Sequence, residues 1–221
     1  MYGDLTSSEV GNYSVLTYTM AFRFVTRVAA VFFALFILIV SLIETSSIKY
    51  AYGARDLFNP RPSPQVTITY GLPHPGAVLP GSPLWTAKAF RDKVSLELTQ
   101  NLVDKSRFEL HLADKRLAAA NLLWNEDNSA EAIATFDKAE NYLANSYETL
   151  SRSEDPNNND ALRQLAYSSL KHREILENVM SNCGDDARPT ISKMLSTSKM
   201  LYDKVRAQME NLQMNPPANP F

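Results

Sequence analysis

The sequence predicts an all-α protein: a single N-terminal transmembrane helix, a proline-rich linker, and an antiparallel bundle of about five helices. Three observations predict it. An apolar run near the N-terminus is almost free of polar residues, prolines crowd into one later stretch, and beyond it apolar residues recur at spacings of three and four.

Residues 1–22 mix Tyr, Ser, Thr and Gly without a period and read as a flexible tail. From residue 28 to 43 only Ser41 is polar, and extension back to Phe24 adds Thr26 and Arg27. Twenty helical residues rise about 30 Å, the hydrocarbon thickness of a bilayer. Residues 23–45 are therefore expected to form a transmembrane or signal-anchor helix, meeting membrane lipid through residues 24–43. A soluble amphipathic helix would show polar positions at every turn. The competing reading is a cleaved signal peptide, with Ala51-Tyr52-Gly53-Ala54 as a small-residue cleavage site. The long preceding segment, and Glu44 and Lys49 ahead of the cut, oppose it. Arg23 and Arg27 flank one side of the run, while Lys49, Arg55 and Arg61 follow the other, so the charge count is near balance. The tight placement of Arg23 and Arg27 favours a cytoplasmic N-terminus.

Residues 46–82 form the Pro/Gly-rich linker. Seven of the twelve prolines lie from residue 60 to 83, which excludes a helix interior and favours extended chain. Gln65-Val-Thr-Ile-Thr-Tyr70 alternates like a short strand but has no partner in sequence; the stretch is expected to act as a spacer.

After Ser82-Pro83, an N-cap followed by a first-turn proline, helix formers take over. Helices are expected at about 83–99, 101–125, 129–153, 160–182 and 187–213. Their stripes run through Ala87, Phe90, Val94 and Leu98; Leu110, Ala113, Leu117, Ala120 and Trp124; Phe136, Ala139, Leu143 and Tyr147; Leu162, Leu165, Ala166 and Leu176; and Ile191, Leu195, Leu201 and Val205. Polar breaks fall at residues 125–129 and 156–159, and Gly184 is expected to close the fourth helix in a left-handed conformation. One-sided helices gain stability by packing stripe on stripe. Residues 113 and 118–120, all alanine, permit close approach by the second helix. The domain divides into a three-helix region at 83–153, a further helical hairpin at 154–215 and a Pro-rich tail at 216–221.

Five separated motifs carry a resemblance: Tyr70-Gly-Leu-Pro-His-Pro-Gly76, Leu79-Pro-Gly-Ser-Pro-Leu-Trp85, Phe90-Arg-Asp-Lys93, Leu112-Ala-Asp-Lys-Arg-Leu-Ala118 and Ala139-Glu-Asn-Tyr-Leu143. In this order they resemble a bacterial domain family of unknown function that follows a signal or anchor segment. The resemblance implies an extracytoplasmic helical domain and supplies no activity, ligand or catalytic residue.

The charge of -2 and pI near 5.9 give no basic face for nucleic acid. Cys183 has no second thiol for a disulfide or zinc site and reads as a spectator near a helix end. His74 lies between prolines, and His111 and Asp114 are a helical turn apart but lack a third ligand. His172 falls on the fourth helix's apolar stripe beside Ser169, as a hydrogen-bonded core residue would; a pH switch is the sharper alternative. Arg91, Asp92 and Lys93, and Asp114, Lys115 and Arg116, are charge-dense triplets on consecutive helices. They are read as a partner-contact patch, or as ion pairs setting alignment and worth about 0–1 kcal/mol each at a surface. Residues 82–183 lack glycine, which opposes a phosphate loop, and no nucleophile–base arrangement has local support. The sequence therefore points away from catalysis, metals and cofactors. It points to a structural or interaction module of the cell envelope that binds a protein partner or itself. The alternatives are the sensory half of a membrane signalling system and a lipid or small-ligand site within the bundle.

Overall fold

The computed structural model describes residues 25–34, 36–37, 66–155 and 158–221. The chain divides into two compact units, Met1–Ile48 and Lys49–Phe221. In the first, residues 25–34 and 36–37 are helical, with exposed side chains that include Val31, Phe32 and Phe36. The expected tail at 1–22, the rest of the expected span to residue 45, and linker residues 46–65 lie outside the described residues. Among the described residues no helix is long and apolar enough to cross a membrane.

The second unit is all-α among its described residues: α1 Pro83–Leu98, α2 Leu102–Asn125, α3 Ser129–Ser151, α4 Asn159–Asn182 and α5 Arg188–Asn211. The bounds lie within two residues of those read from stripes and breaks. Pro83 opens α1 at its first position, and the Asn101 side chain caps α2 by accepting from the Asp104 N–H at 3.0 Å. At the end of α2, Asn128 N–H reaches Leu123 C=O at 2.9 Å and Asp127 N–H reaches Trp124 C=O at 3.3 Å. This six-to-one and five-to-two pair is a Schellman closure with Asp127 left-handed at φ 61°. The same closure ends α5, around Gln213 at φ 57°. The expectation at Gly184 is corrected. Cys183 turns to extended backbone at ψ 151°, and the Arg188 guanidinium donates to the carbonyls of Cys183 at 3.1 Å and Met180 at 3.4 Å. A cation at the helix end does what a left-handed glycine was expected to do.

The α2–α3 hairpin is the tightest pairing, and small residues set it. Ser106, Ala113 and Ala120 recur every seven residues on α2, as Ala132, Ala139 and Ser146 do on α3, each at most 2% exposed. Ser106 Oγ donates to Ser146 C=O at 2.8 Å and Ser146 Oγ to Ser106 C=O at 2.9 Å. That reciprocal pair fixes an antiparallel register in which 113 opposes 139 and 120 opposes 132. Small side chains at these three facing positions let the backbones approach closely.

The core falls into two apolar clusters. One gathers Leu117, Phe136, Leu176, Met194 and Leu195 with their neighbours. The other gathers Leu110, Leu143, Leu165, Leu201 and Tyr202. Residues 66–82 form no strand, and they are not a free spacer. Ile68 is buried; Leu72 and Leu79 pack on the first cluster, and Val66 and Tyr70 on the second. Ile68 N–H donates to Glu174 Oε2 at 2.6 Å, and Lys171 Nζ bridges Glu174 Oε1 at 2.7 Å and Ile68 C=O at 3.4 Å. A strap without sheet partners thus satisfies its backbone on α4 side chains. The Pro-rich tail also folds back: Tyr202 donates to Pro217 C=O, and the Phe221 ring lies 4.2 Å from the Arg173 guanidinium.

Candidate functional site: a buried ionic layer

Between the two apolar clusters lies a layer of polar residues, one or two from each of α2 to α5. His172 of α4 is fully buried (0% exposed), with Asp114 of α2 at 4% and Glu140 of α3 at 3%. Nδ1 of His172 is 2.6 Å from Glu140 Oε1, and Nε2 is 3.4 Å from Asp114 Oδ1. The second contact is an ion-pair distance without the alignment of a hydrogen bond. Ser198 of α5 donates to Glu140 Oε2 at 2.6 Å. Ser168 of α4 donates to Asp114 Oδ1 at 2.5 Å, and the Tyr70 hydroxyl of the strap to Asp114 Oδ2 at 2.6 Å. Each carboxylate oxygen therefore has a partner, and five chain segments meet at one imidazole.

Two buried carboxylates beside one imidazole require a cation between them. Complete burial works against the charged imidazole, but the Glu140 carboxylate, and Asp114 on the other side, prevail and raise its pKa to about 9. His172 is thus an imidazolium with a carboxylate at each nitrogen, a fixed cation across pH 5–8. Burial and the Asp114 charge push the Tyr70 hydroxyl far above its ordinary range, so it stays a donor.

The layer's chemistry is directed inward. Both serine hydroxyls donate to carboxylates, and both serines are fully buried. The imidazole fills the space between the carboxylates, and among the described residues no group of three or more His, Cys, Asp or Glu converges for a metal. Two polar clefts on the surface lie elsewhere. The larger, about 580 Å³, is lined by residues such as Asp104, Arg107 and Asp160.

The six residues expected to form a contact patch separate. Asp114 is in the layer. Asp92, 6% exposed, is turned inward on α1 and paired with Arg91 at 2.6 Å. Arg116, also 6% exposed, stacks 4.3 Å from the Tyr142 ring and 5.9 Å from Trp85. Lys115 is half-buried, leaving Arg91 and Lys93 exposed. The patch is corrected on that ground: an i, i+2 spacing sends three consecutive charges to different sides of a helix. His111 is exposed while Asp114 is buried, so those two do not share a face either. Cys183 is buried at the end of α4.

Sequence reasoning found His172 and missed Glu140, Ser198 and the inward role of Asp114. The signal was present. Asp114 lies between Leu110 and Leu117, Glu140 between Phe136 and Leu143, and Ser198 between Leu195 and Leu201, each at stripe spacing. Two acids and a histidine interrupting three different stripes are a set that can pair in the core.

Fold and site together define a helical-bundle domain divided by a buried ionic layer. Residues 77–186 of it match the family model of a domain of unknown function, DUF5667. The match runs past Leu143, where the resemblance read from sequence ends, and begins after its first motif at residues 70–76. It takes in α1 to α4, and with them Asp114, Glu140, Ser168 and His172, while Tyr70 and Ser198 lie outside it. No curated protein and no solved structure matches the chain.

Proposed function

We propose that the chain is a membrane-anchored helical module of the cell envelope, with its bundle outside the cytoplasm, and that it works through its surface rather than by catalysis. One observation carries this reading: the apolar stripe of α1 faces outward. Leu84 is 68% exposed, Phe90 56%, Val94 40% and Leu98 75%, on a bundle whose buried ionic layer is paired internally. Large apolar side chains contiguous on one helix face mark a surface that meets something. The oily run at residues 24–43 supports the anchor, and the anchor-then-domain order of the resembled family supports the outside placement.

The test uses the full chain in intact cells. Lys193, exposed on α5, is replaced by cysteine in a Cys183→Ser background and challenged with a membrane-impermeant maleimide. The unprocessed chain is expected in the membrane pellet after high-speed centrifugation, labelled without permeabilisation. Recovery in the supernatant removes the anchor, and labelling only after lysis removes the outside placement.

A further inference from the structure

Two rows of side chains meet on one side of the α2–α3 hairpin. Leu102, Lys105 and Glu109 recur at spacings of three and four on α2, and Asn145, Glu148 and Arg152 do so at the end of α3. Each row therefore runs along one side of its helix. The adjoining Ser106–Ser146 pair holds the two helices in register here. The two rows and Thr149 line a cleft of about 240 Å³.

The charges of this cleft do not satisfy one another. Lys105 and Glu109, like Glu148 and Arg152, stand four residues apart, the spacing at which opposite charges pair on a helix. Pairs of that spacing close at Arg173–Glu177 and Arg206–Glu210, and neither closes here. Arg152 instead turns its Nε to the Glu148 carbonyl at 3.1 Å. Glu109 is the more unusual partner. It is 4% exposed, and its Oε2 is buried with no hydrogen-bond partner. A buried carboxylate oxygen without a donor costs free energy that a ligand's donor recovers. Burial pushes the Glu109 carboxyl up, ahead of the opposing pull of Thr149, Lys105 and Arg152. The larger cleft has no such group. Its Asp104 and Arg107 approach to 3.9 Å, and the buried residue that lines it is apolar Val103.

We propose that the smaller cleft binds a zwitterion of α-amino-acid size through its ammonium and carboxylate groups. The ammonium donates to Glu109 Oε2, with Glu148 adding negative charge, and the carboxylate lies between Lys105 and Arg152. These two long side chains move aside to admit it. A metal ion or a simple amine would face both bases uncompensated, and a simple anion would leave Glu109 without a donor. The volume falls below the roughly 300–1,000 Å³ of sites for drug-sized ligands, which restricts the guest to a small side chain. Leu102, 37% exposed, offers that side chain an apolar wall. The site does not depend on the anchor or on the outward face of α1.

The test is titration calorimetry on the full chain in nonionic detergent. L-alanine is compared with ethylammonium, propionate, calcium ion and the trimethylated form of L-alanine. The organic probes carry its cation alone, its anion alone, and both charges without an N–H donor. Expected is saturable binding of L-alanine at one site, at least about tenfold tighter than any other probe. Glu109→Gln and Arg152→Gln are each expected to weaken L-alanine by at least about tenfold, the second without weakening ethylammonium. Arg152 is exposed, so its variant decides the matter if Glu109→Gln fails to fold. No saturable binding of L-alanine overturns the proposal. Ethylammonium or calcium binding as tightly overturns it in favour of a cation site, and propionate in favour of an anion site. Equal binding of the trimethylated form shows that Glu109 accepts no hydrogen bond, and overturns it as well. Affinity for L-alanine unchanged in the variants places the binding elsewhere and also overturns it.

Discussion

At the scale of single residues, the layer around His172 is a set of mutual dependences. Removing the imidazole leaves two buried carboxylates without a cation, so His172→Ala is expected to destabilise by about 3–5 kcal/mol in denaturant unfolding. Tyr70→Phe deletes the donor to Asp114 Oδ2 and is expected to cost about 1–3 kcal/mol, with no change in helix content. The pH dependence follows from proton uptake. The pKa of His172 is about 9 in the folded chain against 6.5 for a free imidazole, so protonation favours folding. Its contribution is complete below about pH 6.5 and is lost as pH rises through about 9. Thermal unfolding between pH 6 and 10 is expected to show a declining midpoint, with a flatter decline in His172→Gln. An equal slope in both chains places the titration elsewhere.

At the scale of elements, small residues and helix ends decide how the hairpins close. Ala113 and Ala139 are both fully buried and face each other in the register pinned by Ser106 and Ser146. Ala139→Leu is therefore expected to cost at least about 1–3 kcal/mol by overpacking, although leucine is a strong helix former. A smaller loss than that of a substitution at exposed Asp137 would contradict the seam. Gln213 holds a left-handed conformation that L side chains resist. Gln213→Gly is expected to stabilise by about 0.5–1 kcal/mol, read as a higher denaturant midpoint at unchanged slope. The helix bounds were readable because Pro83, the polar breaks and the tail's prolines act locally. The orientation of α1 was not. Its inward face is set by Trp85, Lys88 and Asp92 meeting Arg116 and the carbonyls of Pro75 and Val78, partners from elsewhere in the chain.

At the scale of the whole molecule, the ionic layer stands between two apolar clusters that could otherwise slide past one another. A buried polar set is satisfied in one alignment only, whereas leucines tolerate several. Replacing it together, as Asp114→Leu, Glu140→Met and His172→Leu, is expected to give a chain more stable than His172→Ala by at least about 2 kcal/mol, since no buried charge is left alone. The same variant is expected to show broader amide dispersion lines, as uniqueness is lost before stability. A triple variant weaker than the single one shows that the layer stabilises as well as specifies.

The helical class, the positions of five helices and the presence of His172 at a core spacing were already written in the order of residues, because capping, proline placement and a 3.6-residue period act over one or two turns. Folding in three dimensions alone decided that Asp114 and Glu140 would flank that histidine, that residues 66–82 would strap the bundle, and that α1 would present its oily side outward. Such outcomes depend on groups from 10 to 106 positions apart meeting in the folded chain, and no local period records which of them meet.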